Sequence, residues 1–355
     1  MSSIAQKRVS ADMTSSFRTW SPLPSRAIDR LRLFALHGTE VLGEKIAHAL
    51  GCGLAMLEER GFEDGEHKVR TLETVAGCDV YVVHSLHGGP AESPNDKLCR
   101  LLFFVGTLKD AGAARVTAVT PYLCYARKDR RTKPNDPVTI RYVATLFEAV
   151  GVDAVVTLEV HNEAAFENAF RCPSIALSTA PLLIDKIREI AADRAICVIS
   201  PDLGGGKRAD QLRETLEKAL GRAVGKAFVE KHRSAGVVSG DLFAGDVAEA
   251  VCVIVDDLIS TGGTLVRAAK AAQARGASEV MACVAHGLFM PGAETSLADP
   301  AIRRIIATDS VPSFRLPPGP VRAKLEIISA APLLAETIRR MHQGEALGDL
   351  LIHQA

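Results

Sequence analysis

Short apolar runs alternate with amphipathic stretches along most of the chain. The apolar runs, each typical of a buried strand, are LRLFAL, CDVYVVHSL, RVTAVTPYL, AVVTLEV, AICVIS, VCVIVDD, EVMACVAHGLF and IRRIIATD. Stretches with helical spacing cover 39–50, 97–110, 138–149, 208–219, 263–274 and 332–343. Strands that alternate with helices form βαβ units, so the pattern predicts an α/β fold with mainly parallel sheets flanked by helices.

The length of the chain predicts two domains. A chain of 355 residues exceeds what one hydrophobic core usually supports. The two halves carry a weak internal repeat, in which Gly112 and Gly276 each stand between a helix end and a buried strand. We therefore expect two similar domains, 31–177 and 178–355, with the last helix able to pack on the first domain.

Residues 1–30 are rich in Ser and Arg and show no sustained periodicity of apolar residues, which is typical of a mobile extension.

Composition excludes some classes of partner. Lys plus Arg and Asp plus Glu both number 42, so the chain lacks the net positive charge that favours binding to nucleic acid or an anionic membrane. Any phosphate site must therefore be local. The sequence contains no run of 18 uncharged apolar residues and no signal-peptide pattern, and its eight cysteines are scattered and never form CxxC. We expect a cytoplasmic protein with no nucleic-acid or membrane partner.

The strongest chemical signal is VCVIVDDLISTGGTL, at 251–265. An apolar strand ends in two carboxylates and continues into a Thr-Gly-Gly-Thr turn that opens a helix. Ligands of open α/β sheets bind at the carboxyl ends of strands, and such a turn directs backbone N–H groups and hydroxyls toward a phosphate. The segment is predicted to bind a sugar phosphate through Asp256, Asp257, Ser260, Thr261, Gly262, Gly263 and Thr264.

Two further places carry candidate chemistry. His161 ends the predicted strand AVVTLEV, where a neutral imidazole could coordinate magnesium or hydrogen-bond a bridging oxygen. Lys231 and Arg233 lie between a strand and the Gly-rich stretch SAGVVSGDLFAGD, which could close as a lid over the developing charge of a phosphoryl-type transfer. The sequence has no GxxxxGK(S/T), GxSxG or HExxH motif, so a P-loop kinase, a hydrolase with a nucleophile elbow and a zinc protease lack support.

Five motifs together resemble the ribose-phosphate diphosphokinase family over residues 33–345. VCVIVDDLISTGGTL resembles the phosphoribosyl-diphosphate loop that this family shares with phosphoribosyltransferases. FEDGEHKV (62–69), PYLCYARKDRRTKPNDPVT (121–139), VISPDLGGGKRA (198–209) and VEKHR (229–233) resemble further segments of the diphosphokinases, in the same order. An ordinary phosphoribosyltransferase would need only one of the two similar domains that are expected here.

The resemblance implies a role for each of these segments. It implies that ATP is held by Phe62, Asp64, Gly65, Glu66, Arg127, Lys128 and Asp129. It implies a Mg²⁺ site at His161 and Asp202, and catalytic roles in a flexible loop for Lys231 and Arg233. It places ribose 5-phosphate at the Thr-Gly-Gly-Thr turn. Because the FxDGE loop of this family reaches a neighbouring subunit, the resemblance also implies self-association based on a dimer, with a hexamer as one form.

The activity that the resemblance implies is transfer of the β,γ-diphosphate of ATP to O1 of ribose 5-phosphate, which gives phosphoribosyl diphosphate and AMP. Two alternatives stay open: a phosphoribosyltransferase, which would consume a nucleobase, and a catalytically silent homologue that regulates an active synthase. Three residues depart from the family pattern, since Lys128 replaces Gln, Glu159 replaces Asp and Ser260 replaces an acidic residue. The loop 87–96 is also longer than its counterpart.

Overall fold

The computed structural model describes residues 30–202, 204–234 and 237–351, and between 230 and 241 it describes the backbone alone. The predicted extension at 1–30 lies outside the described residues, apart from Arg30. Strands in the first half are β1 (Leu31–Ala35), β2 (Leu57–Gly61), β3 (His67–Thr71), β4 (Asp79–Val83), β5 (Arg115–Val119), β6 (Ala154–Leu158) and β7 (Ser174–Leu177). Helices there are α1 (Glu40–Leu50), α2 (Pro94–Asp110), α3 (Thr139–Ala149) and α4 (Glu163–Ala169).

The second half continues the same alternation. Its strands are β8 (Ile196–Ser200), β9 (Gly225–Ser234), β10 (Val237–Ala244), β11 (Val251–Ile259), β12 (Glu279–Gly287), β13 (Arg304–Thr308) and β14 (Leu325–Ile328). Its helices are α5 (Ala180–Ala191), α6 (Gly206–Leu220), α7 (Gly263–Gln273), α8 (Ala293–Leu297), α9 (Pro320–Lys324) and α10 (Ala331–Gln343), followed by a 3₁₀ turn at Gly348–Leu350.

Two mainly parallel sheets organise the described chain. The first has the strand order β1-β4-β5-β6-β7 and all its pairs are parallel. The second has the order β10-β9-β8-β11-β12-β13-β14, and its one antiparallel pair is β9 with β10. Helices cover both faces of each sheet, so central strands such as β6 are buried on both sides. The predicted α/β fold class is confirmed.

Two antiparallel strand pairs were not predicted as hairpins. The strands β2 and β3 form a separate antiparallel ribbon whose turn, 62–66, is the predicted ATP loop. The strands β9 and β10 pair antiparallel, and Lys231 and Arg233, which were expected in a flexible loop, lie in β9; their predicted role stays a prediction. Neither hairpin shows the long apolar run that identifies a central strand.

The last helix, α10, packs against α1 on one face of the first sheet. Leu334 and Ile338 of α10 share a buried cluster with Leu42 and Ile46 of α1. Apolar residues at helical spacing explain the contact, because α10 presents one buried stripe. The chain therefore begins and ends its described fold on the same sheet. The boundary between 177 and 178 stays a prediction, although β7 ends at Leu177.

Candidate active site

The Thr-Gly-Gly-Thr turn joins β11 to α7 and is shaped by Gly262. This glycine has φ of 81°, and a Cβ placed on it would lie 2.6 Å from Leu297 Cδ2, so a side chain does not fit there. The Ser260 carbonyl accepts a hydrogen bond from the Met290 N–H at 2.9 Å. Helix α7 has no side-chain cap and no acidic residue in its first turn. The turn therefore presents the positive end of a helix, as a phosphate site requires.

Asp256 and Asp257 lie immediately before this turn and have different environments. Asp257 is buried, and its Oδ2 lies 2.9 Å from Nδ1 of His161, which follows β6 of the first half. Burial would raise the pKa of Asp257, but the His161 hydrogen bond and the Arg208 charge hold it below its usual value. Burial and the charge of Asp257 raise the pKa of Asp256 well above its usual value. The hydrogen bond to Asp257 raises the pKa of His161.

Arg208 of α6 connects the acid pair to a second buried acid, Glu159. Its Nε lies 3.0 Å from Glu159 Oε2, and its guanidinium lies 3.6 Å from Asp256 Oδ1. The other Glu159 oxygen accepts from the N–H and the hydroxyl of Thr179, at 2.9 and 3.1 Å. No role was predicted for Arg208 from sequence, although it lies in the GGGKRA motif. Its partners are distant in sequence, so the motif alone carried no signal for this contact.

Part of the predicted ATP site adjoins the acid pair. Arg127, His161 and Asp257 line one narrow cavity at the junction of the two halves. Asp129 accepts from Asn162, the neighbour of His161, at 2.6 Å. Lys128 instead donates to Asp136 at 2.7 Å, within its own loop. The structure therefore brings together Arg127, His161 and the acid pair, with Asp129 beside them.

The predicted FEDGE residues lie apart from this cavity. Phe62, Asp64, Gly65 and Glu66 form the exposed turn between β2 and β3. The turn is held internally, since the Phe62 N–H donates to the Glu66 carbonyl at 2.8 Å and the Glu66 N–H donates to Asp64 at 3.1 Å. Within the described residues, no contact joins this turn to the acid pair.

The remaining predicted residues are only partly described. Asp202 is exposed, and its Oδ1 accepts from the Gly205 N–H at 3.0 Å. The side chains of Lys231 and Arg233 lie outside the described part of the structure. Within the part described, no group of three or more His, Cys, Asp or Glu side chains is arranged to hold a metal ion.

No described helix is both long and apolar enough to span a bilayer.

These features define a protein with phosphoribosyltransferase-like α/β halves, in which an acid pair precedes an uncapped helix N-terminus. Two family models match the chain: the N-terminal domain of ribose phosphate pyrophosphokinase over 31–151, and the phosphoribosyl synthetase-associated domain over 238–352. The ribose-phosphate pyrophosphokinase of Clostridium perfringens is 35% identical over 323 residues, which cover 90% of this chain and 97% of that protein. That of Caldanaerobacter subterraneus subsp. tengcongensis is 36% identical over 327 residues, 92% of this chain and 99% of that protein.

A solved structure agrees with these relatives. The crystal structure of phosphoribosylpyrophosphate synthetase from Mycobacterium smegmatis superposes with a TM-score of 0.77 at 32% identity, and the match covers 89% of this chain and 99% of that chain. The chain belongs to the ribose-phosphate pyrophosphokinase family and is an enzyme of that kind. The family and the function predicted from sequence are confirmed.

Proposed function

We propose that the enzyme transfers the β,γ-diphosphate of ATP to O1 of ribose 5-phosphate in the cleft where its two halves meet. The observation that carries this assignment is the 2.9 Å contact between His161 and Asp257. The contact joins His161, which follows β6 in the half predicted to bind ATP, to Asp257, which lies near the end of β11 in the half predicted to bind ribose 5-phosphate. Diphosphate transfer needs both substrates in line, so one cleft with residues from both halves suits it.

Ribose 5-phosphate would occupy the turn at 260–264. The N-terminus of α7 supplies N–H donors for the 5-phosphate, with hydroxyls from Thr261 and Thr264. Asp256 and Asp257 would accept from the sugar hydroxyls. Because the protein stabilises the charge of Asp256 poorly, hydroxyl donors from the sugar would have a larger effect there than at Asp257.

ATP would lie beside Arg127 and Asp129, with Phe62, Asp64, Gly65 and Glu66 supplied by a second copy of the chain. The exposed, internally bonded turn at 62–66 supports this division, since it offers these groups to solvent rather than to its own cleft. Association into a dimer-based assembly is therefore part of the proposal. The eight scattered thiols support a cytoplasmic location.

Mg²⁺ would be held by His161 and Asp202 together with substrate phosphates. The donor chemistry fits, because Mg²⁺ keeps several waters and often takes one or two carboxylates plus phosphate oxygens. His161 uses Nδ1 for Asp257, which leaves Nε2 available, and Asp202 is exposed. When bound, the ion would neutralise and align the phosphates of ATP. Lys231 and Arg233 would stabilise the charge of the diphosphate in transit.

The test is a direct assay. The full chain is incubated with ATP, ribose 5-phosphate and Mg²⁺, and the products are separated by ion-exchange chromatography. AMP and phosphoribosyl diphosphate should appear in equal amounts, and neither should form when ribose 5-phosphate is left out. A nucleobase-dependent reaction without AMP would instead identify a phosphoribosyltransferase. Folded protein without turnover would identify a silent homologue.

A further inference from the structure

The turn that leads from β6 to His161 contains a residue with a strained backbone. Glu159, which directly follows β6, has φ of 31°, a value that residues with a side chain rarely adopt. Such a conformation persists only where surrounding contacts hold it, and it is commonest at functional sites. The position of His161, two residues later, therefore depends on the contacts made by Leu158 and Glu159.

The second half of the chain supplies one of these contacts through His286. This residue lies near the end of β12 and pairs with Leu258, which directly follows the acid pair in β11. Its Nε2 lies 3.1 Å from the carbonyl oxygen of Leu158 and 3.2 Å from that of Glu159. One side chain thus joins the strand beside the acid pair to the turn that precedes His161.

The partners of His286 determine which of its ring nitrogens carries the proton. The ring is buried, and burial lowers the pKa of His286, so the imidazole is neutral and has one N–H. Carbonyl oxygens only accept, so Nε2 is the donor. Nδ1 then accepts from the Ser310 hydroxyl, which lies 2.8 Å away. Tyr122 packs edge-on against the ring at 5.0 Å between centroids, so the ring is held on several sides.

Arg208 and His286 hold different parts of the same turn. Arg208 donates to the Glu159 carboxylate at 3.0 Å and to the Val160 carbonyl at 3.3 Å. His286 donates to the carbonyls of the two preceding residues. Loss of Arg208 leaves a buried charge without its cation, whereas loss of the neutral His286 removes only an aligned donor. The contribution of His286 to the rate can therefore be measured without a change of charge.

We propose that His286 is a positioning residue for diphosphate transfer, which holds the turn after β6 so that Nδ1 of His161 faces Asp257. The inference rests on the proposed function, because it takes His161 and Asp257 as parts of one reaction cleft. The ring of His286 borders that cleft, but its N–H is directed at the backbone. A displacement of about 1 Å in a reaction site lowers the rate by about a hundredfold, so a loosened turn should be costly.

Two variants of His286 differ in the reach of their amide. The amide nitrogen of Gln lies about as far from the backbone as Nε2 of the ring, whereas that of Asn is one methylene shorter and does not reach the two carbonyls. His286→Asn should lower kcat by about tenfold to a hundredfold and leave the KM for ribose 5-phosphate within about threefold of wild type. His286→Gln should recover most of the lost turnover.

Thr308→Val is the matched control. The Thr308 hydroxyl belongs to the same buried network, but its bonds stay within the second half, to the Ala285 carbonyl at 2.7 Å and to Ser310 at 2.8 Å. Thr308→Val should keep the kcat of wild type even if it lowers the free energy of unfolding. Equal losses of kcat in Thr308→Val and His286→Asn would mean that general loosening of the core, rather than the bond to the turn, sets the rate.

A second readout does not depend on turnover. Because a carboxylate accepts, Nδ1 of His161 donates to Asp257, and its proton should give a slowly exchanging NMR signal in protein with isotopically labelled histidine. Loss of the signal in His161→Gln assigns it. The signal should disappear in His286→Asn and persist in His286→Gln and Thr308→Val. Wild-type protein that makes no phosphoribosyl diphosphate would contradict the proposed function, while this signal would still test the role of His286.

A folded His286→Asn that keeps either the wild-type kcat or the His161 signal would overturn the proposal. If His286→Asn does not fold, Ser310→Ala takes its place, because removal of this hydroxyl leaves Nδ1 of His286 without its donor and releases one side of the ring. Ser310→Ala should lower kcat by about threefold or more and weaken the His161 signal. Wild-type values of both in Ser310→Ala would then overturn the inference.

Discussion

Arg208 is the described cation that contacts the buried Glu159, and it also lies 3.6 Å from Asp256 of the acid pair. Arg208→Met would leave Glu159, which is 4% exposed, with Thr179 as its described partner. Because an uncompensated buried charge is costly, we expect the free energy of unfolding to fall by about 3–5 kcal/mol. Urea unfolding followed by circular dichroism measures this. Adding Glu159→Gln should recover part of the loss, because it removes the orphaned charge.

Arg213 provides the control for this prediction. It lies in the same helix, α6, and pairs with Glu217 nearer the surface at 2.6 Å. Arg213→Met should lower the free energy of unfolding by at most about 1 kcal/mol. Equal losses from Arg208→Met and Arg213→Met would contradict the role given to Arg208.

Lys128, which departs from the family pattern, is neutralised inside its own loop. Asp136 accepts from Lys128 and also from the N–H groups of Thr132 and Lys133, and these bonds hold the pKa of Asp136 well below its usual value. Lys128→Gln should therefore change the KM for ATP by less than about threefold in steady-state assays, since an ion pair of this kind screens the charge.

Arg127 is the matched comparison, because it has no carboxylate partner in the described structure and lines the cavity with His161. Arg127→Gln should raise the KM for ATP by about tenfold or more. A larger effect from Lys128→Gln than from Arg127→Gln would mean that Lys128 leaves Asp136 to bind the nucleotide.

What the sequence could predict at this scale depends on the distance along the chain between interacting residues. The acid pair and the turn at 260–264 lie within nine residues, so their order alone identified them. Arg208 meets partners 48 and 49 residues away. No local pattern contains such contacts.

At the scale of elements, α10 carries a compact ionic cluster. Glu336 is 6% exposed and accepts from Arg339 and Arg340, at 2.7 Å in each case. Burial alone would raise the pKa of Glu336, but the two arginines hold it below its usual value. Glu336→Gln should lower the free energy of unfolding by about 2–4 kcal/mol at pH 7.

The pH dependence of this loss follows from the sign of the shift. A lowered pKa in the folded state means that the stabilisation is complete above the unfolded value, about 4.3, and is lost as pH falls through the lower folded value. Urea titrations from pH 7 to pH 4 should show the difference between wild type and Glu336→Gln shrink only at the acidic end. Glu345→Gln, at a more exposed partner of Arg339, should cost less at every pH. A difference that grew toward pH 4 would be inconsistent with this cluster.

Regular elements were predictable where apolar periodicity is strong. The strands β4, β5, β6, β8, β11 and β12 and the helices α1, α3 and α7 begin within one residue of their predicted starts. The ribbon of β2 and β3 was missed because its strands, LEERG and HKVRT, bury a single residue, Val69. Backbone pairing rather than side-chain burial defines such a ribbon, and backbone pairing leaves little trace in the sequence.

For the whole molecule, the proposed division of the ATP site between two copies makes a prediction about mixtures. Lys231→Ala should lower kcat by about a hundredfold to a thousandfold. A variant with Phe62→Ala and Asp64→Ala should lose ATP binding. Co-expressed, the two should regain about a quarter of wild-type activity, because in a symmetric dimer one site of each heteromer combines intact parts.

Differently tagged chains allow the heteromers to be purified through both tags before assay. Mixing two copies of the same defective variant is the control and should restore nothing. Purified heteromers without activity would mean that the turn at 62–66 serves the cleft of its own chain.

The contact between α1 and α10 also affects the chain while it is being made. Roughly 290 residues separate Glu40 from Ala331. At a synthesis rate of about 5–20 residues per second, α1 leaves the ribosome roughly 15–60 seconds before the helix that covers it. During that interval Leu42 and Ile46 lack part of their cover, and this apolar face of the nascent first half is open to chaperones until translation ends.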